Sequence, residues 1–544
     1  MRSLERESGE ERMKKNATAL SVVLISSMLF GLNGAMAEEK KQDDPLYPAY
    51  INFKFGFINK EGKQMIAPQF SWVGTFSEGL APASGENGKV GFIDRTGKFV
   101  IQPVYESVVD SFTNGIAHVS LNDDVLTIDK TGKAMGPNPD KIGLDGYYEG
   151  LAAVLDGEKW GFIDEKGNWI VKPTYDMVGR FSEGLAAVSQ DNAKQGYIDK
   201  TGKLILPAQY SFAGEFHEGK AAVTINDKMG FIDKTGKVVI QPNFFSVGDF
   251  TDGLAPVEVQ EGETYKYGLI NAKGEYVVKP VWDALPQVID GLVYVDNKLF
   301  DKTGKQLLEA QGTIYPFQDG LAEVSKDLHS SYIDMTGKTV WTESRDYALG
   351  NGATLVEKKQ SLQSEDSYMY YPQVTGLKDT KLQDALNKTL VEKFAPKIEE
   401  EPDLSFSSDY RVVFQKNNIL NIIGDSYSYY IGAAHGMPGR DSVVLDMATG
   451  KTIGLKDLFK AGSDYKKVSN TVIKDGFKSM EMPLLEDFES IEDDTAFYLT
   501  KNGIVVYFQP YEYTPYAAGF PEFEIPYSTL KPYLAEQHDF WKEK

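Results

Sequence analysis

The residues able to do chemistry are few and scattered. Five histidines, His118, His217, His329, His435 and His538, lie far apart, and none pairs with another at the short spacing that holds a metal between imidazoles. There is no cysteine, which removes disulfides, thiolate metal ligands, a sulfur nucleophile and a lipid-modified N-terminal Cys. No Gly-x-Ser-x-Gly elbow, His-Glu-x-x-His helix or phosphate-cradling Gly-Lys loop occurs. No metal or cofactor site is therefore expected. What remains is aromatic: His435 in a Gly-rich turn after Tyr429 and Tyr430, and a dense run of Tyr507, Tyr511, Tyr513 and Tyr516. A tyrosine offers a flat apolar face and a polar tip, suited to stacking on a sugar ring or filling a protein interface. The candidate binding set is Tyr429, Tyr430, His435, Tyr511, Tyr513 and Tyr516. Core packing explains alternate members of the tyrosine run equally well. A His bonded to loop backbone is the preferred reading of His435.

Two other patterns invite chemistry and lose to plainer readings. Lys-Thr-Gly occurs at residues 130–132, 200–202, 234–236 and 302–304, and Ser-x-x-Lys begins at Ser463 and Ser528. Together they mimic penicillin-recognising enzymes, but no Ser-Asp-Asn element accompanies them and each Lys-Thr-Gly is a repeated turn. An acidic residue recurs before a second turn glycine: Glu78, Glu149, Glu183, Glu218, Asp252, Asp290 and Asp319. Stacked, these would make a carboxylate ladder for cations or basic ligands. Turn chemistry with solvent-facing charge is preferred, and no EF-hand pattern supports calcium.

The elements that must position these residues come from a repeat. Turn glycines stand at Gly62, Gly97, Gly132, Gly167, Gly202, Gly236, Gly274, Gly304 and Gly337, spaced 35, 35, 35, 35, 34, 38, 30 and 33 residues apart. So steady a period means a repeat array in which neighbouring units complete one another's core. In one unit, Phe162 to Asp164 ends a strand, Asp164 accepts turn amides, Trp169 to Val171 returns, and Pro173 ends the ladder. Leu185 to Val188 makes a third strand. An aromatic recurs three residues before the second glycine at Phe76, Phe112, Phe181, Phe216, Phe250 and Phe317. Three strands per unit, irregular late spacings and degenerate terminal units favour an open superhelix over a closed propeller-like ring.

The formal net charge of −22 disfavours nucleic acid and anionic lipid as partners. At the N-terminus, Lys14 and Lys15, an apolar run from Ala17 to Leu32 and Ala35-Met36-Ala37 read as a secretory signal peptide cleaved near Ala37, with Met13 as the expected true start. No later segment has the roughly 18 unbroken apolar residues needed to span a bilayer. The expected layout is signal peptide 1–37, polar leader 38–50, β-repeat array 51–343, α+β domain 346–535 and tail 536–544. In the C-terminal third, Leu382, Leu386, Leu390 and Phe394 form one helical stripe, and Lys501-Asn502-Gly503 turns a hairpin.

The repeat residues resemble the bacterial WG β-repeat family over about residues 51–343, although Trp-Gly itself occurs only at Trp160-Gly161. Other units carry Phe55-Gly56, Val90-Gly91, Gln195-Gly196, Met229-Gly230 and Tyr267-Gly268. The resemblance implies stacked short antiparallel strands and no general catalytic activity. Residues 346–535 resemble the extracytoplasmic part of RsiV-type lysozyme-sensing anti-sigma factors. Tyr371-Pro-Gln-Val-Thr-Gly-Leu377, Gly432-Ala-Ala-His-Gly436 and the run from Phe508 to Gly519 carry that likeness. It implies an exported ligand-binding module, with a lysozyme-like protein as one ligand type. The sigma-binding segment and membrane helix of that family have no counterpart here, so signalling is not carried over.

The expectation is an all-β repeat array plus a C-terminal α+β domain, in a non-catalytic envelope or secreted protein that recognises an extracellular protein or a cell-wall glycan. The rivals are a cell-wall hydrolase using paired carboxylates about 5–10 Å apart, and a structural spacer.

Overall fold

The computed structural model describes residues 44–537 apart from 86, 123, 136–141, 192, 351, 363–366, 399–402 and 481. The signal peptide, most of the leader and the end of the tail lie outside the described residues. The chain divides into two compact units, parting after Glu343.

The first unit is built from nine small antiparallel sheets in chain order, each of three or four strands. A full sheet reads as four strands: Met177–Val178, Leu185–Ser189, Gln195–Asp199 and Leu204–Tyr210. The short first strand is the one that sequence periodicity did not show. Proline does not end the fourth strand. It sits inside it, at a break in the pairing register between Gln195↔Tyr210 and Tyr197↔Leu206. This edge strand needs no donor at that point. The break swings the edge strand against the motif glycine: a Cβ on Gly196 would lie 2.4 Å from the Leu206 carbonyl oxygen and 2.7 Å from the Ala208 nitrogen. Gly56, Gly91, Gly161, Gly230 and Gly268 meet the equivalent carbonyl at 2.3–2.6 Å. The second letter of the Trp-Gly motif is thus a steric requirement, while the first position is free to vary.

Three kinds of contact recur between neighbouring sheets. The recurrent aromatic packs against the strand aromatic of the preceding sheet, with ring centroids 4.8–4.9 Å apart in Phe57–Phe76, Phe92–Phe112, Phe162–Phe181, Tyr197–Phe216 and Phe231–Phe250. Apolar clusters span neighbouring sheets, as when Phe162 and Val171 pack with Val178, Phe181 and Val188. The acidic turn residues supply the third contact, described below.

The array closes. Tyr47 of the first sheet donates its hydroxyl to the Asp319 carbonyl of the ninth at 3.0 Å, and Tyr332 donates back to the Pro48 carbonyl at 2.9 Å. Their rings lie 5.5 Å apart within a cluster that includes Ile58 and Leu321. The expected open superhelix is therefore corrected to a ring: terminal units that looked degenerate bury their faces on each other instead of capping. The expected polar leader is shortened as well, because Tyr47–Ile51 is a strand of the first sheet.

Between the third and fourth sheets, His118 stacks on Tyr147 at 6.1 Å and bonds Asp110 at 2.8 Å, while its Nε2 is buried without a partner. Asn114 replaces the acidic turn residue there, and among the described residues no apolar cluster spans this joint.

The second unit is α+β. Its seven-stranded sheet runs in chain order from Tyr347–Gly350 to Lys451–Thr452. The one parallel pair joins Tyr368–Thr375 to Leu404–Lys416, and a parallel link needs a crossover. Helix α1 (Thr380–Phe394) provides it, capped by Asp379 and burying Leu386, Leu390 and Phe394. Helix α2 (Tyr465–Ser479) packs with a three-stranded sheet, Phe497–Leu499, Gly503–Tyr507 and Glu522–Pro526, around Ile473, Phe477, Ile504 and Phe523. Fully buried Asn421 ties the two sheets: its amide donates to the Val443 carbonyl at 2.8 Å and accepts from the Leu499 N–H at 2.7 Å.

Candidate functional site

Two long strands, Ile419–Tyr430 and Met437–Asp446, form a hairpin whose tip, 431–436, carries His435. The connection from Phe508 to Pro521 is stitched to its flank by Gln509. That side chain accepts the Arg440 N–H at 3.1 Å and donates to the Arg440 carbonyl at 2.7 Å, imitating a strand partner. Arg440 adds charge and stacking, with Asp425 at 2.6 Å, Glu522 bonded through Nη1, and its guanidinium 4.2 Å above the Phe520 ring.

This stitching brings together three of the six expected residues. His435 stacks on Tyr516 with centroids 4.2 Å apart, Tyr511 lies 6.4 Å from His435, and Tyr511 and Tyr516 are 6.0 Å apart. His435 Nδ1 is 2.9 Å from the Gly436 carbonyl, which only accepts, so the neutral ring carries its proton there. Nε2 then accepts the Tyr511 hydroxyl at 3.2 Å. The turn-fixing reading of His435 holds, and the same ring is also half of an exposed aromatic stack. Tyr427 completes the group by accepting the Gly436 N–H at 3.1 Å. Its place on the hairpin, two residues before Tyr429 on the same strand face, was the available signal for it.

Tyr513 is removed from the set. Its ring packs on Phe508 at 4.8 Å and Phe488 at 5.5 Å, at the edge of the core. Tyr429 donates to the Ala433 carbonyl at 3.3 Å and Tyr430 accepts the Ala433 N–H with its carbonyl, so both shape the hairpin end rather than joining the three rings.

Tyr511 has φ of +69°, a left-handed conformation rare for an aromatic residue. The strand-like stitch at Gln509 and the bond from Tyr511 N–H to the Thr514 carbonyl at 3.0 Å hold it there. Such strain costs roughly 1–3 kcal/mol and persists where surroundings over-determine it. The ring so held stays 44% exposed, beside Tyr427 at 39% and Met437 at 43%.

The acidic ladder is not free solvent charge, because its carboxylates clasp the following sheet. Glu183 accepts the Gly219 N–H and pairs with Lys234, each at 3.0 Å, both from the next sheet. Glu78 does the same with Gly115 and Lys130, Glu149 with Gly184 and Lys200, and Asp252 with Gly291 and Lys302. Burial alone would raise the Glu78 and Glu183 carboxyls, but the lysine and glycine hydrogen bonds outweigh it and hold both below the usual range. The preceding turn aspartates are lowered too. Asp199 accepts the Thr201 hydroxyl at 2.6 Å and the Thr201 and Lys203 amides. Among the described residues no group of three His, Asp or Glu side chains is gathered as for a metal, and no helix is long and apolar enough to cross a membrane.

These features define a WG-repeat β-array followed by an α+β domain. The chain carries WG containing repeats at residues 55–89, 91–123, 160–192, 196–228, 229–262 and 267–296, and residues 456–528 match the protein of unknown function model DUF3298. No curated protein matches the chain. Among solved structures, a DUF3298 family member from Bacteroides fragilis is 19% identical, covers 35% of this chain and 96% of its own, and has a TM-score of 0.27. A DUF3298 family protein from Pseudomonas aeruginosa is 18% identical over 34% and 94%, with a TM-score of 0.27. The WD40 β-propeller domain of Doa1 is 11% identical over 40% and 86%, with a TM-score of 0.20.

Proposed function

We propose that this is an exported, non-catalytic recognition protein whose C-terminal unit binds an extracellular protein or a cell-wall glycan through the His435–Tyr511–Tyr516 surface. The observation that carries the reading is Tyr511: a strained backbone presents its ring to solvent, where packing gains nothing from the strain. Its neighbours offer stacking faces and hydroxyl tips, the two contacts that sugars and protein hot spots both use. The N-terminal sequence supports export.

The test is pull-down by the mature protein from three defined sources: peptidoglycan, soluble glycans and a lysozyme-type protein. Capture of one of them by the parent, with at least a tenfold loss in Tyr511→Ala/Tyr516→Ala and an unchanged melting curve, supports the reading. Capture of none, or equal capture by the variant, removes it.

A further inference from the structure

We infer that one edge of the ring, across the fifth to eighth sheets, docks a cationic polypeptide segment with interspersed apolar side chains. Met177 and Phe212 open the first strands of the fifth and sixth sheets, Phe245 and Leu285 lie in the links that enter the seventh and eighth, and they keep 44%, 45%, 37% and 56% of their surface exposed. Folding does not demand apolar groups there. Met177 pairs with Ser189 and Phe212 with Thr224, whereas the same register position is Ser107 opposite Ser120 in the third sheet, Ser246 opposite Glu258 in the seventh and Thr313 opposite Ser325 in the ninth. The repeat accepts small polar residues at this place, yet the fifth and sixth sheets expose large apolar ones there, and the seventh and eighth expose one just before their first strand.

Charge names the partner. The hairpin turns between the second and third strands share this edge, because Leu185 pairs with Asp199 at the opposite end of the same strands. Exposed Asp191, Asp227, Glu261 and Glu263 sit on those turns. Lys194 and Lys228 are there too, whereas Lys266 pairs with Asp283 at 2.6 Å. Carboxylates outnumber the remaining lysines on the edge that exposes these apolar residues, so a cationic ligand with apolar side chains is complementary. A second copy of this chain would bring a net charge of −22 to the same edge and is repelled.

The probe is a ten-residue peptide of alternating Lys and Leu, titrated into the full mature chain, with Lys-Ser and Glu-Leu peptides of equal length beside it. The Lys-Leu peptide should bind at least tenfold tighter than either. Met177→Ser/Phe212→Ser/Phe245→Ser should weaken it tenfold or more, as should Glu261→Lys/Glu263→Lys, with melting curves unchanged. Equal binding of the Glu-Leu peptide, or parent-like binding by both ring variants, would overturn the inference. Tyr511→Ala/Tyr516→Ala should leave this binding intact; a loss there would move the peptide to the C-terminal unit and equally overturn it.

Discussion

At the scale of single residues, the motif glycine is the sharpest case of sequence dictated by geometry. Gly196 has no space for one carbon atom, because the obstacle is backbone and cannot rotate away. Gly196→Ala should lower the stability of the ring by about 1–3 kcal/mol, read as a lower denaturant midpoint of its unfolding transition; an unchanged midpoint would mean the edge strand shifts freely. The glycine's recurrence was legible in the sequence, but its reason was not, since the register break at the proline is a property of paired strands. The same limit separates Tyr511 from Tyr513. Two residues apart in one run, they look equivalent until Gln509 pins the loop and sends one ring to solvent and the other to the core.

At the scale of elements, the turns turn out to be the joints. The hairpin glycines, the preceding aspartates and the acidic residues were all visible as periodic positions. The partners of the acidic residues were not, because each lies in the following sheet, 36 to 51 residues away for Glu183. Glu183 and Lys234 are each roughly a third or more exposed, so their coupling in a double-mutant cycle should be only about 0.2–1 kcal/mol. A zero coupling would leave the Gly219 amide as the sole function of that carboxylate. Collectively the lowered carboxyls make a pH prediction. Their folded-state pKa values lie below those of the unfolded chain, so the folded state holds fewer protons and the stabilisation is complete above the unfolded value, about 4. It is lost as pH falls through the folded values. The melting temperature of the ring should therefore drop between pH 5 and pH 3, approximately. Asp199→Asn keeps a side-chain acceptor, as Asn59 and Asn271 do naturally, and should make that drop shallower.

At the scale of the whole molecule, the array class and the α+β class of the C-terminal third followed from period and patterning. Closure did not. Whether nine units meet depends on a small rotation per unit, which no single unit's residues display. Tyr47 and Tyr332 reveal it only once they are seen together.

The joint between the third and fourth sheets then acquires a meaning of its own. A circle of alike links parts where one link is poorest; here Asn114 stands where the second, fourth, fifth, sixth and seventh sheets place a carboxylate that clasps the next sheet, and the His118 Nε2 is buried without a partner. Amide hydrogens of Ser107–Thr113 and Ile142–Tyr148 should exchange with solvent sooner than those of Leu185–Ser189 and Lys220–Ile225, without global unfolding. Uniform exchange around the circle would refute this. A closed array that opened there first, like a split washer, could be threaded, levered or cut at that place while every sheet stayed intact.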